Sequence, residues 1–229
     1  MNGHFWCGAR CFELIGGRQT FPFGVTATSD VIKVRSDQTN KIPDKSWMLY
    51  LLELFDTTGA PMELNLIAQF NNMDNFWAIF GGINRYKFVS VLPKIGHKYL
   101  RLMELVSQSR KVRYSVEDQN SGEKESFEFA VPSGFAFEAS GQFTGLEWWN
   151  RTADCPFPLR FEVEISSLRF KANESWKAYR LLIPDTDKAS STYPVKYVPK
   201  LGEEGGIAYT IQSGETLGGL SLSASTSGS

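Results

Sequence analysis

Apolar and polar side chains exchange places at every second position through most of this chain, the period of a strand with one face on a core and one in water. Val112, Tyr114 and Val116 alternate with Lys111, Arg113 and Ser115, and Asp118-Gln119-Asn120-Ser121-Gly122 supplies turn chemistry. Phe127, Phe129 and Val131 then alternate with Ser126, Glu128 and Ala130, which predicts a hairpin with one wet face. Leu159, Phe161, Val163 and Ile165 against Arg160, Glu162, Glu164 and Ser166 predict a second strand, continuing through Leu168 to Phe170 after a bulge at Ser166-Ser167. Residues 62–70 form another alternating run, and strands are expected at 76–80, 87–92 and 98–106.

Residues 47–55 have the apolar density of a buried helix, but they lead through Asp56-Thr57-Thr58-Gly59 into the next alternating run. Such a turn between apolar runs reads as a hairpin, so this segment is taken as a strand. Glycine and proline breaks recur throughout, and no capped stretch of period 3.6 is present. The expected fold is all-β, an antiparallel two-sheet sandwich of jelly-roll type, with a barrel as the alternative. At 229 residues with 42% apolar content, one β domain over residues 1–212 is expected, with a late strand at 207–211. Serine, glycine and threonine dominate the end of the chain, so 213–229 reads as a flexible tail.

Charge narrows the partners. Lysine and arginine number 24 against 25 acids, and a net charge of −1 argues against nucleic acid and against anionic membrane surfaces. No apolar run approaches the roughly 18–20 residues of a membrane helix, because Glu53 interrupts the best one, and no membrane insertion is expected. Met1 to Cys7 lack a basic region followed by an apolar core, so a soluble chain without a secretory signal is expected and its compartment stays open. Cys7 and Cys11 would share one strand face roughly 13 Å apart, too far for a disulfide. Only His4, His97 and Cys155 could add soft ligands, so the cysteines read as buried thiols, and no metal and no cofactor are expected. Asn71, Asn72, Asp74 and Asn75 cluster oxygen ligands without the spacing of a calcium loop.

A phosphate-cradling glycine loop and a Gly-x-Ser-x-Gly elbow are both missing, and His97, in a turn before a strand, reads as a solvated loop residue. What remains is carboxylate beside aromatic. In Gly145-Leu146-Glu147-Trp148-Trp149-Asn150, a glutamate next to indole has the surroundings that raise a carboxyl pKa. Glu162 and Glu164 share one strand face and would pair with Glu147 or Glu13 if that face lined a groove. Two carboxylates about 5–9 Å apart suit glycoside hydrolysis, although the wet face of a strand explains Glu162 and Glu164 more simply. Trp148, Trp149, Trp77 and Trp6, with Asn150, Asn75 and Gln69, offer indole faces and amides for stacking and bonding a sugar.

The segment from Gly96 through Val131, followed by Gly145-Leu146-Glu147-Trp148 and the Leu159 to Phe170 strand, resembles the concanavalin A-like jelly rolls. Glu147-Trp148 ahead of Pro156-Phe157 and a long strand is similar to the catalytic-glutamate region of the glutamic endopeptidases of that architecture. The resemblance implies a glutamine partner on another strand. By order Gln69 fills that place, although the residues around it do not follow the family's motif.

Three functions follow as expectations. The first is a carbohydrate-binding module with an aromatic-lined concave sheet and a glycan or small-molecule partner. The second is a hydrolase of glycan or peptide using Glu147 with Glu162, Glu164 or Gln69. The third is a lipocalin-like barrel around an apolar small molecule, which the 17 phenylalanines would line.

Overall fold

The computed structural model describes residues 3–15, 18–20, 24–34, 46–56, 62–70, 75–81, 86–131, 141–150, 161–178, 180–182, 201–204, 207–213 and 220–226. Its strands are β1 (Gly3–Ile15), β2 (Arg18–Thr20), β3 (Val25–Val34), β4 (Ser46–Asp56), β5 (Met62–Phe70) and β6 (Asn75–Gly81). There follow β7 (Tyr86–Val89), β8 (Lys98–Val106), β9 (Lys111–Asp118), β10 (Lys124–Ala130), β11 (Gly141–Asn150) and β12 (Phe161–Ala172). The last are β13 (Ser175–Ala178), β14 (Arg180–Leu182), β15 (Leu201–Glu204), β16 (Ile207–Ser213) and β17 (Leu220–Thr226).

They make two antiparallel sheets. The first runs β14-β1-β11-β4-β5-β6-β7 with β2 beside β1, and the second runs β10-β9-β8-β3-β12-β17-β16-β15 with β13 beside β12. Both orders are open paths among the described residues, so the chain forms a sandwich and not the alternative barrel. The physical reason lies between the sheets, where side chains of both inner faces fill the space a barrel ligand would need. Tyr50, Leu52 and Leu54 of β4 and Leu64, Leu66 and Ala68 of β5 have no exposed surface, nor do Tyr99 and Met103 of β8 or Tyr114 of β9.

Most expected strands form as read, and residues 47–55 lie within β4. In the hairpin of β9 and β10 the carbonyl of Asp118 accepts the Gly122 N–H at 2.7 Å, and Gly122 takes the positive φ of 78° that the turn requires. The bulge in β12 is present: the register against β3 slips between Ser166 and Arg169, and Ser167 has φ 54°. One extra residue there swaps the alternation, so Ile165 before it and Leu168 and Phe170 after it are all buried.

Within residues 213–229, read from composition as a tail, Leu220–Thr226 forms β17, paired with β12 on one side and β16 on the other. Serine-rich composition hid a period of two. Leu220 and Leu222 stand opposite Ile165 and Val163, and Ser221 and Ser223 opposite Glu164 and Glu162, so apolar meets apolar across the ladder.

Candidate functional site

Five strands of the first sheet carry the site, and register decides its membership. Glu147 of β11 pairs with Trp6 of β1 on one side and Leu49 of β4 on the other. Leu49 pairs in turn with Gln69 of β5, and Gln69 with Phe76 of β6. Directly opposed residues stand on the same side of a sheet, so Trp6, Glu147, Leu49, Gln69 and Phe76 form one row on one face. Glu147 and Gln69 are two strand steps apart, about 10 Å of backbone, with Leu49 between them.

That face is the one turned away from the second sheet. Tyr50, Leu52 and Leu54 hold the inner positions of β4, and Leu49 belongs to the alternate set. Leu49 keeps 8% of its surface exposed and Leu51 3%, giving a nearly closed apolar floor beside Glu147. The next row on this face reads Gly8, Gly145, Leu51, Ile67 and Ala78. The one after it reads Arg10, Phe143, Glu53, Asn65 and Phe80, and on the other side of Glu147 stand His4, Trp149 and Trp47.

The candidate stacking residues therefore divide. Trp6 and Trp149 share the face of Glu147. Trp148 occupies the row of Phe5 and Met48, Trp77 pairs with Ala68, Asn150 with Ser46 and Asn75 with Phe70, all on the inner set of rows. Cys7 is on the inner set too, in the row of Leu146 and Tyr50. Glu162 belongs to β12 of the other sheet, in the outward set with Glu164, opposite Ser223 and Ser221. Glu162 and Glu164 are thus not brought together with Glu147. Glu13 pairs with Thr20, also away from the Glu147 row.

Trp47 and Phe76 are site-face aromatics that the sequence reading did not single out. The available signal was Glu53: within 47–55 the set Trp47, Leu49, Leu51, Glu53, Phe55 carries the one charge, which marks it as the set turned away from the core.

His97 is not simply a solvated loop residue. Its Nδ1 stands 2.8 Å from Oδ2 of Asp118, whose side chain has no exposed surface, and the site is on the second sheet, away from Glu147. Of the possible calcium ligands, Asn71, Asn72 and Asp74 fall outside the described residues. Among the described residues no group of three or more histidine, cysteine, aspartate or glutamate side chains gathers for a metal. No helix among them is long and apolar enough to cross a membrane.

No protein-family model matches this chain, and no curated protein matches it in sequence. Solved structures do match. A crystal structure of scytalido-glutamic peptidase with a transition state analog inhibitor superposes with a TM-score of 0.55 at 10% identity, over 99% of this chain and 100% of that one. The chain is similar to scytalido-glutamic peptidase in fold. A second structure of that peptidase, with a peptide-based transition state analog, gives a TM-score of 0.50 at 9% identity over the same shares of both chains. Lectin II from Ulex europaeus also matches, at a TM-score of 0.37 and 10% identity over 67% of this chain and 76% of that one. The likeness in fold to the glutamic peptidases noted in the sequence is thus found among the structural neighbours.

Proposed function

We propose that this protein is a glutamate-dependent hydrolase of peptide bonds, with Glu147 as the acid–base group and Gln69 as its partner. The observation that carries this reading is the shared row: both residues pair with Leu49, on the face away from the second sheet. A carboxylate and a carboxamide held across one apolar residue supply the two things amide hydrolysis needs. The Glu147 carboxylate takes a proton from water as the water oxygen bonds to the carbonyl carbon. The carbonyl electron pair moves onto oxygen, and the Gln69 amide donates a hydrogen bond to that oxyanion. As the C–N bond breaks, Glu147 returns the proton to the leaving nitrogen, so acid and amine are the products.

Peptide is favoured over glycan by the carboxylate spacing. Glycoside hydrolysis needs two carboxyl groups about 5–9 Å apart. On the Glu147 face, Glu53 of β4 is one strand over and two rows along, about 14 Å of backbone away, and Glu162 is in the other sheet. The paired glycines Gly8 and Gly145, one row from Glu147, leave the sheet without side chains where a substrate backbone would approach. The fold shared with scytalido-glutamic peptidase supports the same reading.

The test is cleavage of an unfolded protein and of a fluorogenic peptide library, across acid to neutral pH, by the wild-type chain and by Glu147→Gln. At least a hundredfold loss of kcat in the variant, with an unchanged circular dichroism spectrum, is expected. Equal turnover in the two proteins, or none in the wild type, would overturn the proposal. A saturable tryptophan fluorescence change with oligosaccharides, lost in Trp149→Ala and unaccompanied by peptide cleavage, would favour a glycan-binding module instead.

A further inference from the structure

Arg101 of β8 has no exposed surface, yet it carries a guanidinium into the space between the sheets. Asp30 of β3, directly opposite it in the ladder, accepts Nε–H at 2.8 Å and Nη2–H at 2.7 Å, a two-pronged pair that neutralises the charge. The remaining donors cross to the first sheet. Nη1 donates to the Tyr50 carbonyl at 2.9 Å and to that of Leu66 at 3.4 Å, and Nη2 donates to the carbonyl of Leu51 at 3.4 Å. All five guanidinium hydrogens therefore have acceptors, which is what lets the group stay charged without water.

The carbonyls it holds belong to β4 and β5, the strands that carry Leu49 and Gln69. The Leu51 carbonyl also accepts Thr144 Oγ1–H at 3.2 Å, and Thr144 belongs to β11, three residues before Glu147. From beneath, one guanidinium and one hydroxyl thus engage all three strands that space Glu147 from Gln69.

We propose that Arg101, fixed by Asp30, is a positioning residue for the Glu147–Gln69 pair: it sets the spacing and tilt of β4 against β5 on the opposite face of the sheet. The inference rests on the hydrolase reading above. Strand register is secured by the ladder itself, so the brace acts on distances of an ångström or less, and errors of that size cost catalysis far more than they cost folding. A buried ion pair is often replaceable by apolar residues with little loss of stability, so stability alone does not account for it.

The test compares the wild-type chain with the double variant Arg101→Met/Asp30→Leu, which removes the brace without stranding a buried charge. Expected are a melting temperature near that of wild type, kcat lower by about ten- to a hundredfold, KM little changed and a pH profile of unchanged shape. Amide hydrogen exchange should quicken across β4 and β5 and not in β9 or β10. Wild-type kcat in a folded double variant would overturn the inference while leaving the hydrolase reading intact. Absence of turnover in the wild type would sink that reading and this role with it. Should the double variant fail to fold, Arg101→Lys makes the same comparison, since its ammonium can pair with Asp30 but cannot also span both strands. Wild-type kcat in Arg101→Lys would then overturn the role, and a tenfold or greater loss with intact KM would support it.

Discussion

His97 and Asp118 join the turn entering β8 to the last residue of β9 through a 2.8 Å contact between Nδ1 and Oδ2. Burial pushes the Asp118 carboxyl pKa up. Hydrogen bonds from His97, the Asn120 amide and Ser121 outweigh that and hold it below the usual carboxylate range. A carboxylate depressed in the folded state adds stability above its unfolded pKa and loses it as pH falls through the folded one. The melting temperature of the wild type should therefore exceed that of Asp118→Asn at neutral pH, and the gap should close as pH falls through and below the usual carboxylate range. Calorimetry of both proteins across that range reads it directly. A gap that persists undiminished at low pH would show that the ionised carboxylate is not its source.

Adjacent tryptophans on β11 should fail in different ways. Trp148 is in the inner set of rows, between Phe5 and Met48, and Trp149 is on the Glu147 face beside Trp47. Trp148→Ala is expected to reduce unfolding free energy by about 3 kcal/mol or more, as for other large core truncations. Trp149→Ala should leave denaturation within about 1 kcal/mol of wild type and raise KM for peptide. Urea denaturation and steady-state kinetics on both variants separate the two outcomes, and a reversed pattern would invert the facial assignment.

Gln69→Ala removes the proposed oxyanion donor and keeps the strand. A fall in kcat of about 10²- to 10³-fold is expected, with KM nearly constant, the pattern of an interaction made in the transition state. A rise in KM with kcat intact would assign Gln69 to substrate binding instead.

The two-residue connection between β12 and β13 offers a stabilising change. Ala172 pairs with Ser175, and the loop residues Asn173 and Glu174 have φ of 49° and 60°. Both central residues at positive φ is the geometry of a tight hairpin turn that prefers Asn-Gly. Glu174→Gly relieves about 1 kcal/mol of backbone strain, at the loss of an exposed ion pair with Lys171 whose Glu174 side chain is 86% exposed. Thermal melts should show a rise of roughly 2–4 °C, and a fall would mean that the ion pair matters more than the strain.

Strand positions were legible in the sequence wherever polar and apolar residues took opposite faces. The runs at 62–70 and 98–106 coincide with β5 and β8, and the bulge at Ser166-Ser167 is where the alternation changes phase. Facing was harder. In β8 the inward set is Tyr99, Arg101, Met103 and Leu105, while Leu100 and Leu102 look outward, so an arginine is fully buried and two leucines are not. Nothing local reveals that, because the compensating Asp30 is on another strand and the carbonyl acceptors are in another sheet. The site was half legible. Glu147 and Gln69 could be named from residue type and resemblance, but their common row depends on β4 lying between β11 and β5. Glu162 stood in sequence as a possible partner of Glu147 and is separated from it by sheet membership, a property of topology that no run of residues encodes.

The Glu147 row also joins near and far parts of the chain. β4, β5, β6 and β7 follow one another along the chain and pair as neighbours, so Gln69 stands on a meander that closes through nearby contacts. Glu147 and Trp6 come from β11 and β1, which pair with each other across most of the chain, and among the described residues β11 joins them to that meander. On the proposed hydrolase reading, a partly folded polypeptide holding the β4–β7 meander alone would have half of the constellation and be inert. Mild loosening of the long-range β11–β4 seam would then abolish the proposed activity before local structure is lost.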